Sequence, residues 1–190
     1  RDISMVAGTP AYMAPELASG DGAALGPWSD VYLLGAILYE VLCGTPPHRV
    51  TGVKDIKEVI ALARSGRIEP PVNRVPGKVL PDELVVLALD ALASDPAKRL
   101  RDVGIFAARL RGYLRQSKAA TLLDRAREHL QVAESGHSSH ADESLRRALG
   151  CCEQAEDLSP GFQAARRLHV RVALAAAVDA LAAGSFHLTL

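Results

Sequence analysis

The sequence predicts a mainly α-helical protein, and three observations support that fold class. Aromatic residues make up only 4% of the 190 residues while Ala and Leu abound, which favours helices over β-sandwiches and barrels. Apolar residues recur at helical spacing in several long segments. Hydrophobic residues amount to 48% and charged residues to 23%, the balance of a folded globular protein. A chain of this length has room for one sizeable domain or two small ones.

The composition also excludes several classes of partner. The formal net charge is zero and no dense Lys/Arg stripe is present, which argues against nucleic acid and against a polybasic membrane surface. The most apolar stretch, residues 172–183, contains Asp179 and is too short to span a bilayer, so no membrane segment is expected in this chain. The three cysteines, Cys43, Cys151 and Cys152, form no disulfide framework, which predicts a cytoplasmic location.

The first half of the chain predicts a loop followed by three helices. Residues 1–28 are rich in Gly, Pro and Ser, with one short helix expected at residues 15–19. A helix capped by Ser29 or Asp30 should run over residues 31–42, and its apolar residues on nearly every side predict that it is buried. An amphipathic helix over residues 55–64, a proline-rich loop over residues 66–81 and a second buried helix over residues 81–93 follow.

The second half predicts helices only, with a domain boundary near Gln116. The stripe before it contains Val103, Phe106, Ala107, Leu110 and Leu114. From Ser117 the outer faces carry more charge, so we expect two domains, residues 1–116 and 117–190. A third long helix is expected over residues 162–182. The two stripes that precede this helix contain Leu122, Ala126, Leu130 and Ala133, and then Leu145, Ala148, Cys152 and Ala155.

Three motifs in the first half give the chain a family resemblance. They read Gly-Thr-Pro-Ala-Tyr-Met-Ala-Pro-Glu from Gly8, Asp-Val-Tyr-Leu-Leu-Gly from Asp30, and Asp-Pro-Ala-Lys-Arg from Asp95. In this order and spacing, residues 1–115 resemble the later part of the large lobe of a bacterial Hanks-type serine/threonine protein kinase. The resemblance implies transfer of the γ-phosphate of ATP to Ser/Thr of protein substrates by the intact protein, with ATP and Mg²⁺ as its cofactors.

The resemblance also implies roles for individual residues. Gly8, Thr9, Pro10 and Tyr12 match the element that binds the protein substrate, and the Thr indicates Ser/Thr rather than Tyr specificity. Asp30 matches an aspartate that accepts hydrogen bonds from the backbone of the catalytic loop. Tyr32 stands where many family members have Trp.

Two further residues match positions that form a buried ion pair in this family. They are Glu16, in the Ala-Pro-Glu element, and Arg99, in the Asp-Pro-x-x-Arg element. Burying two charges is costly unless they meet with good geometry, and the planar fork of an Arg suits a carboxylate better than Lys does. Ser4 lies five residues before Thr9, in the segment that kinases order by phosphorylation, and is the candidate phosphosite.

The motifs that perform the chemistry of this family are not found in this sequence. It has no glycine-rich phosphate loop before a lysine strand, no His-Arg-Asp loop and no Asp-Phe-Gly. His48-Arg49-Val50 and the glycines from Gly20 resemble such motifs only superficially, so no catalytic residue and no metal ligand is assigned. The chain alone is therefore expected to be inactive and to bind no cofactor, as a kinase fragment. A non-catalytic interaction scaffold, built of a lobe remnant and the helical tail, is the alternative.

The tail has the spacing of one tetratricopeptide unit of about 34 residues. Its small and turn positions are Gly136, Ala148, Cys152, Ala155 and Pro160, and a following unit is degenerate. A TPR-like surface predicts a possible protein partner, whereas a plain helical hairpin is the simpler interpretation. The cluster of His137, His140, Cys151 and Cys152 does not have the spacing of a zinc site, so a solvated turn is expected there.

Overall fold

The structure, a computed structural model, is all helical within the residues that it describes, which are 9–49, 55–135 and 140–182. The predicted fold class is confirmed. Ser4, Gly8, Gly136 and His137 lie outside the described residues. The helices are α1 (Pro15–Ser19), α2 (Pro27–Cys43), α3 (Ile56–Ser65), α4 (Pro71–Arg74), α5 (Asp82–Ala91), α6 (Val103–Glu134), α7 (Ala141–Leu158) and α8 (Gln163–Ala182).

The chain divides into two compact units, residues 1–111 and 112–190, and the point of division falls within the sequence of α6. The boundary predicted near Gln116 also lies within this helix, so the change in surface charge occurs along one continuous helix. Asp102 stabilises the start of α6, because its carboxylate accepts a hydrogen bond from the Ile105 amide at 3.0 Å. None of the helices in the described ranges is long and apolar enough to cross a bilayer.

Helix α2 forms the centre of the first unit and begins earlier than predicted. It starts at Pro27 rather than at residue 31, because a proline needs no hydrogen bond at the first helical position and its fixed φ suits a helix. The Gly26 amide donates to the hydroxyl of Ser29 at 3.4 Å, so Ser29 helps to cap the start of the helix from the third helical position. Gly44, at φ 77°, ends the helix after Cys43, one residue beyond the predicted end at residue 42.

The prediction that α2 is buried on nearly every side is wrong for one face. Val31, Tyr32, Ala36 and Tyr39 are fully buried against α5 and neighbouring segments. Ile37 and Val41, however, are 52% and 71% exposed, because no described element packs on their side of the helix. The helix therefore presents an apolar stripe to its surroundings.

The segment between α3 and α5, which the prolines predict to be a loop, contains a short helix. A helical turn forms at α4, where Pro71 supplies the first position and is itself buried. This turn is held to α2, since the Tyr39 hydroxyl donates to the Glu69 carbonyl at 2.8 Å and the Lys78 ammonium donates to the Leu42 carbonyl at 2.9 Å. Helix α3 has the predicted extent, with Asp55 as its cap.

The second unit packs the end of α6 with α7 and α8. The predicted apolar stripes are confirmed, since Ala133 is half-buried at the edge of this core and the remaining members are buried in it. Val103 and Leu114 depart from prediction: they are 42% and 56% exposed, whereas Phe106 and Leu110 pack in the first unit. The buried members of the stripes are Leu122, Ala126, Leu130, Leu145, Ala148, Cys152 and Ala155.

Candidate substrate-binding segment and the ion pair that supports it

The segment after Gly8 forms a tight turn with Thr9 at its exposed end. Pro10–Tyr12 is one turn of 3₁₀ helix, closed by a hydrogen bond from the Tyr12 amide to the Thr9 carbonyl at 3.1 Å. The hydroxyl of Thr9 does not cap this turn. Thr9 is exposed and Pro10 half-buried, so the predicted substrate-binding residues that the structure describes lie at the surface of the first unit.

Two contacts hold this turn in place. The Tyr12 hydroxyl donates a 2.6 Å hydrogen bond to the carboxylate of Glu40 on α2. This hydrogen bond, together with burial, raises the pKa of Tyr12, so the phenol stays protonated and keeps donating. The Ala11 carbonyl accepts a hydrogen bond from the His48 amide at 3.2 Å. One side-chain hydrogen bond and one backbone hydrogen bond thus hold the turn in place.

Glu16 and Arg99 form a buried, bidentate ion pair next to the turn of residues 9–12. The Arg99 Nη1 atom lies 2.8 Å from Glu16 Oε1, and Nη2 lies 3.2 Å from Oε2. The Arg99 side chain is fully buried and that of Glu16 is 5% exposed. The structure places in direct contact two residues that are 83 positions apart in sequence, the arrangement that the motifs predicted.

The remaining donors of Arg99 are also occupied. Nη1 donates to the Trp28 carbonyl at 2.8 Å, Nε to the Ala93 carbonyl at 3.0 Å and Nη2 to the Ser94 carbonyl at 3.5 Å. A guanidinium has five N–H donors, and each has an acceptor here. Arg99 therefore joins α1, the start of α2 and the end of α5 through one side chain.

Glu16 keeps its charge despite its burial. Burial alone would raise the pKa of this carboxyl group. Hydrogen bonds from Arg99, from its own backbone amide and from the Ser29 hydroxyl, at 2.8 Å, outweigh that effect and lower the pKa. The carboxylate is thus ionised at neutral pH and bound on both oxygens.

Tyr32 and His48 extend the buried polar cluster of Glu16 and Arg99, and these two contacts were not predicted from the sequence. The Arg99 guanidinium lies 4.9 Å from the centre of the Tyr32 ring, and the Tyr32 hydroxyl is 2.8 Å from Nε2 of His48. His48 is 1% exposed, and burial lowers its pKa to about 4, so the imidazole is neutral. A signal was present: a buried Tyr in place of a Trp needs a polar partner for its hydroxyl.

Asp30 is exposed in the first turn of α2. Among the residues that the structure describes, its side-chain carboxylate has no hydrogen-bond or ion-pair partner. Asp30, Ile37 and Val41 fall on one side of the helix because their spacings of seven and four residues follow its repeat of about 3.6. The carboxylate thus stands at one end of the exposed apolar stripe.

The residues present do not fit the ATP and Mg²⁺ site of a kinase. Within the described part of the chain, no group of three or more His, Cys, Asp or Glu residues is arranged to hold a metal ion. The sequence also lacks the motifs that supply the phosphate contacts and the metal ligands in such enzymes. No chemical step is therefore assigned to a residue of this chain.

The first unit has the features of the large lobe of a protein kinase: an exposed turn at Thr9, a central apolar helix and a buried Glu–Arg pair. The family model of the protein kinase domain matches residues 1–108, more than half of the chain. The chain belongs to the protein kinase family, in its bacterial Hanks-type serine/threonine branch.

Curated relatives agree with that assignment. The chain is 42% identical over 94 residues to the serine/threonine-protein kinase PknB of Mycobacterium tuberculosis, covering 50% of this chain and 14% of the relative. It is 35% identical over 112 residues to PknD of Chlamydia caviae, covering 59% and 11%. A DNA damage-responsive kinase of Deinococcus radiodurans, RqkA, is 62% identical over 40 residues, covering 21% and 6%. The chain thus spans only a small part of the length of these relatives.

Proposed function

We propose that this chain forms the substrate-binding and supporting part of a bacterial protein kinase that transfers the γ-phosphate of ATP to Ser/Thr of protein substrates. The observation that carries the proposal is the buried ion pair of Glu16 and Arg99, with both carboxylate oxygens and all five guanidinium donors satisfied. The pair fixes the residues directly behind Thr9, Pro10 and Tyr12. A protein substrate would bind at this exposed turn.

The exposed stripe on α2 supports the view that the lobe functions within a larger kinase domain. Ile37 and Val41 present apolar surface beside the side chain of Asp30. In the proposal, the catalytic half of the domain covers this stripe in the intact protein, and Asp30 accepts hydrogen bonds from its backbone. ATP and Mg²⁺ are held by residues outside this chain, so the chain alone is inactive and binds neither.

Thr9 offers the sharpest test of the proposed substrate contact. In the intact kinase, Thr9→Ala should lower phosphate transfer to a protein or peptide substrate by about tenfold or more, since it removes a hydroxyl positioned at the reacting groups. Thr9→Ser keeps the hydroxyl and should retain most of the activity. Ser19→Ala is the matched control, because Ser19 is exposed and donates only to the Pro15 carbonyl at 2.8 Å. Equal activity of the Thr9→Ala and Ser19→Ala variants would exclude a role for Thr9 in transfer.

Further predictions belong to the same proposal. Gly8 is a substrate-binding residue and Ser4 is the phosphosite of the intact protein. The chain comprises a kinase portion, residues 1–116, and a TPR-like portion, residues 117–190, which binds a protein partner. The location is cytoplasmic.

The alternative, an interaction scaffold without catalysis, draws support from the apolar groove of the second unit, which Leu145, Leu174 and Val178 help to line. Intact protein that binds a partner but transfers no phosphate would favour it.

A further inference from the structure

Arg74, like Arg99, holds several parts of the first unit together, although it lies outside the three kinase motifs. Its Nη1 atom donates to the Glu69 carboxylate at 3.0 Å, and its guanidinium carbon lies 6.0 Å from the centre of the Tyr39 ring. Only 13% of the Arg74 side chain is exposed, against 48% of that of Glu69. One side of the guanidinium is thus bound close to α4, and the other side is available to a different segment.

The other side of the Arg74 guanidinium binds the loop that follows α2. Its Nη2 atom lies 3.2 Å from the Pro46 carbonyl oxygen, 3.4 Å from that of Pro47 and 2.5 Å from that of Arg49. Because the two prolines have no N–H, they can bind a neighbouring element by hydrogen bonds only through their carbonyl groups. The planar guanidinium donates to a carboxylate and to backbone carbonyls at the same time. Arg74 therefore ties residues 46–49 to α4.

The loop that Arg74 holds also contacts the substrate-binding turn, through His48. The His48 amide donates to the Ala11 carbonyl at 3.2 Å, and its Nε2 atom lies 2.8 Å from the Tyr32 hydroxyl. His48 is 1% exposed, so both contacts lie in the interior of the first unit. A displacement of the loop would therefore remove a backbone hydrogen bond from the turn that begins at Thr9.

We propose that Arg74 is a positioning residue for protein substrates: it holds the loop of residues 46–49, and through His48 it keeps the turn at Thr9 in the conformation that binds substrate. This inference rests on the proposed kinase function. A turn that is ordered before binding spares the substrate the cost of ordering it. Loss of Arg74 should thus weaken substrate binding more than it slows the chemical step, because Arg74 acts through the loop and not on the reacting groups.

Amide hydrogen exchange in the 190-residue chain, followed by NMR, tests the positioning of the turn without any kinase activity. The His48 amide should exchange slowly in the wild type, because it is buried and donates to Ala11. Arg74→Ala should speed this exchange by about tenfold or more. The Leu92 amide, which donates to the Ala88 carbonyl at 2.9 Å in the core of the first unit, should keep its rate.

Steady-state kinetics of the intact kinase test the effect on substrate binding. Arg74→Ala should raise the KM for a protein substrate by about tenfold, with a smaller change in kcat and an unchanged KM for Mg·ATP. Arg74→Lys keeps a cation opposite Glu69 but lacks the fork, so the substrate KM should stay above that of the wild type. Lys78→Ala is the matched control. Lys78 also binds the end of α2, through the Leu42 carbonyl at 2.9 Å, but donates no hydrogen bond to residues 46–49 in the described structure, so its loss should change neither readout.

The two experiments distinguish the positioning role from the proposed function. Four results would each overturn the positioning role: unchanged exchange at His48 in the Arg74→Ala variant, equally faster exchange at His48 and Leu92, a substrate KM equal to that of the wild type, or equal effects of Arg74→Ala and Lys78→Ala. An intact wild-type protein that folds yet transfers no phosphate would contradict the proposed function instead, and the exchange at His48 would then decide alone whether Arg74 holds the turn.

Discussion

At the scale of single residues, Arg99 is the most connected side chain of the first unit. It joins three parts of the chain that are far apart in sequence, and it does so without leaving a donor unpaired. A buried ion pair of this kind gives little net stability compared with an apolar replacement, but it is costly to break. Its contribution is therefore best measured by removing one partner at a time.

Arg99→Ala or Glu16→Ala should each lower the free energy of unfolding by about 3–5 kcal/mol, because the remaining charge is left buried without a partner. The double variant should lose much less than the sum of the two single losses. Lys at position 99 should restore only part of the loss, since one ammonium cannot replace the fork. Urea denaturation at neutral pH measures these differences, and additive losses in the double variant would contradict the coupling.

His48 makes the stability of the first unit sensitive to mild acid. Its pKa is about 4 in the folded protein against an ordinary value of 6.5, so the unfolded chain binds the proton more tightly. The contribution is therefore complete above about pH 6.5 and is lost as the pH falls toward 4, by roughly 3 kcal/mol in total. The free energy of unfolding, followed across this range, should show that decline.

Two variants separate this titration from that of other groups. His48→Gln should remove the decline between pH 6.5 and 4, whereas Tyr32→Phe, which loses the hydrogen bond but keeps the imidazole, should retain it. Glu16 acts in a lower range: its pKa lies below the ordinary 4.5, so its contribution is present above that pH and is lost as the pH falls through the lower value. If the free energy of unfolding of the His48→Gln variant fell between pH 6.5 and 4 as it does in the wild type, other residues would be responsible for the decline.

At the scale of elements, the close contact of α2 and α5 depends on Gly35. A Cβ atom placed there would lie 2.7 Å from the Cβ of Ala91 and 3.2 Å from Cγ of Leu92. Gly35→Ala should therefore destabilise the protein by about 1–3 kcal/mol, although alanine is the better helix former. Gly150→Ala is the matched control in α7, where nothing lies within 4 Å, and should stabilise by about 0.5–1 kcal/mol.

Thermal denaturation of the two glycine variants compares these signs directly. A loss with Gly35→Ala and a gain with Gly150→Ala would show that packing, and not helix propensity, decides the first position. Stabilisation by both substitutions would mean that α2 and α5 separate easily, and would contradict the packing described for the first unit.

The elements also show what local sequence could and could not predict. Caps and breakers act within a few residues, so Asp55, Gly44 and the turn at Asp95 were predictable. The start of α2 was not predicted, because a proline breaks a helix at interior positions but favours the first helical position. The exposed face of α2 was not predicted, because an apolar pattern shows which side chains a helix could bury but not whether another element packs against them. The buried contact of His48 was not predicted, because its partner, Tyr32, lies 16 positions away in sequence.

At the scale of the whole molecule, the residues expected from the motifs and those found only in the structure all help to hold the same exposed turn in place. The contact of Glu16 with Arg99 was expected only from the resemblance to kinases, since such a pair is spaced by a fold and not by local rules. Glu40 and Trp28, and the contact of Ser29 with Glu16, entered only with the structure, because these contacts use a carboxylate, a carbonyl and a hydroxyl that no local pattern distinguishes. Together they support one exposed turn.

Phosphate transfer by the intact kinase, compared with the isolated chain, tests the central proposal most directly. Both proteins are incubated with Mg·ATP and a protein substrate, and phosphoserine and phosphothreonine are identified by mass spectrometry. The account predicts transfer to Ser/Thr by the intact protein, and neither transfer nor calorimetrically detectable Mg·ATP binding by the chain alone. Low-micromolar Mg·ATP binding by the isolated chain, or an intact protein that folds yet transfers no phosphate, would contradict it.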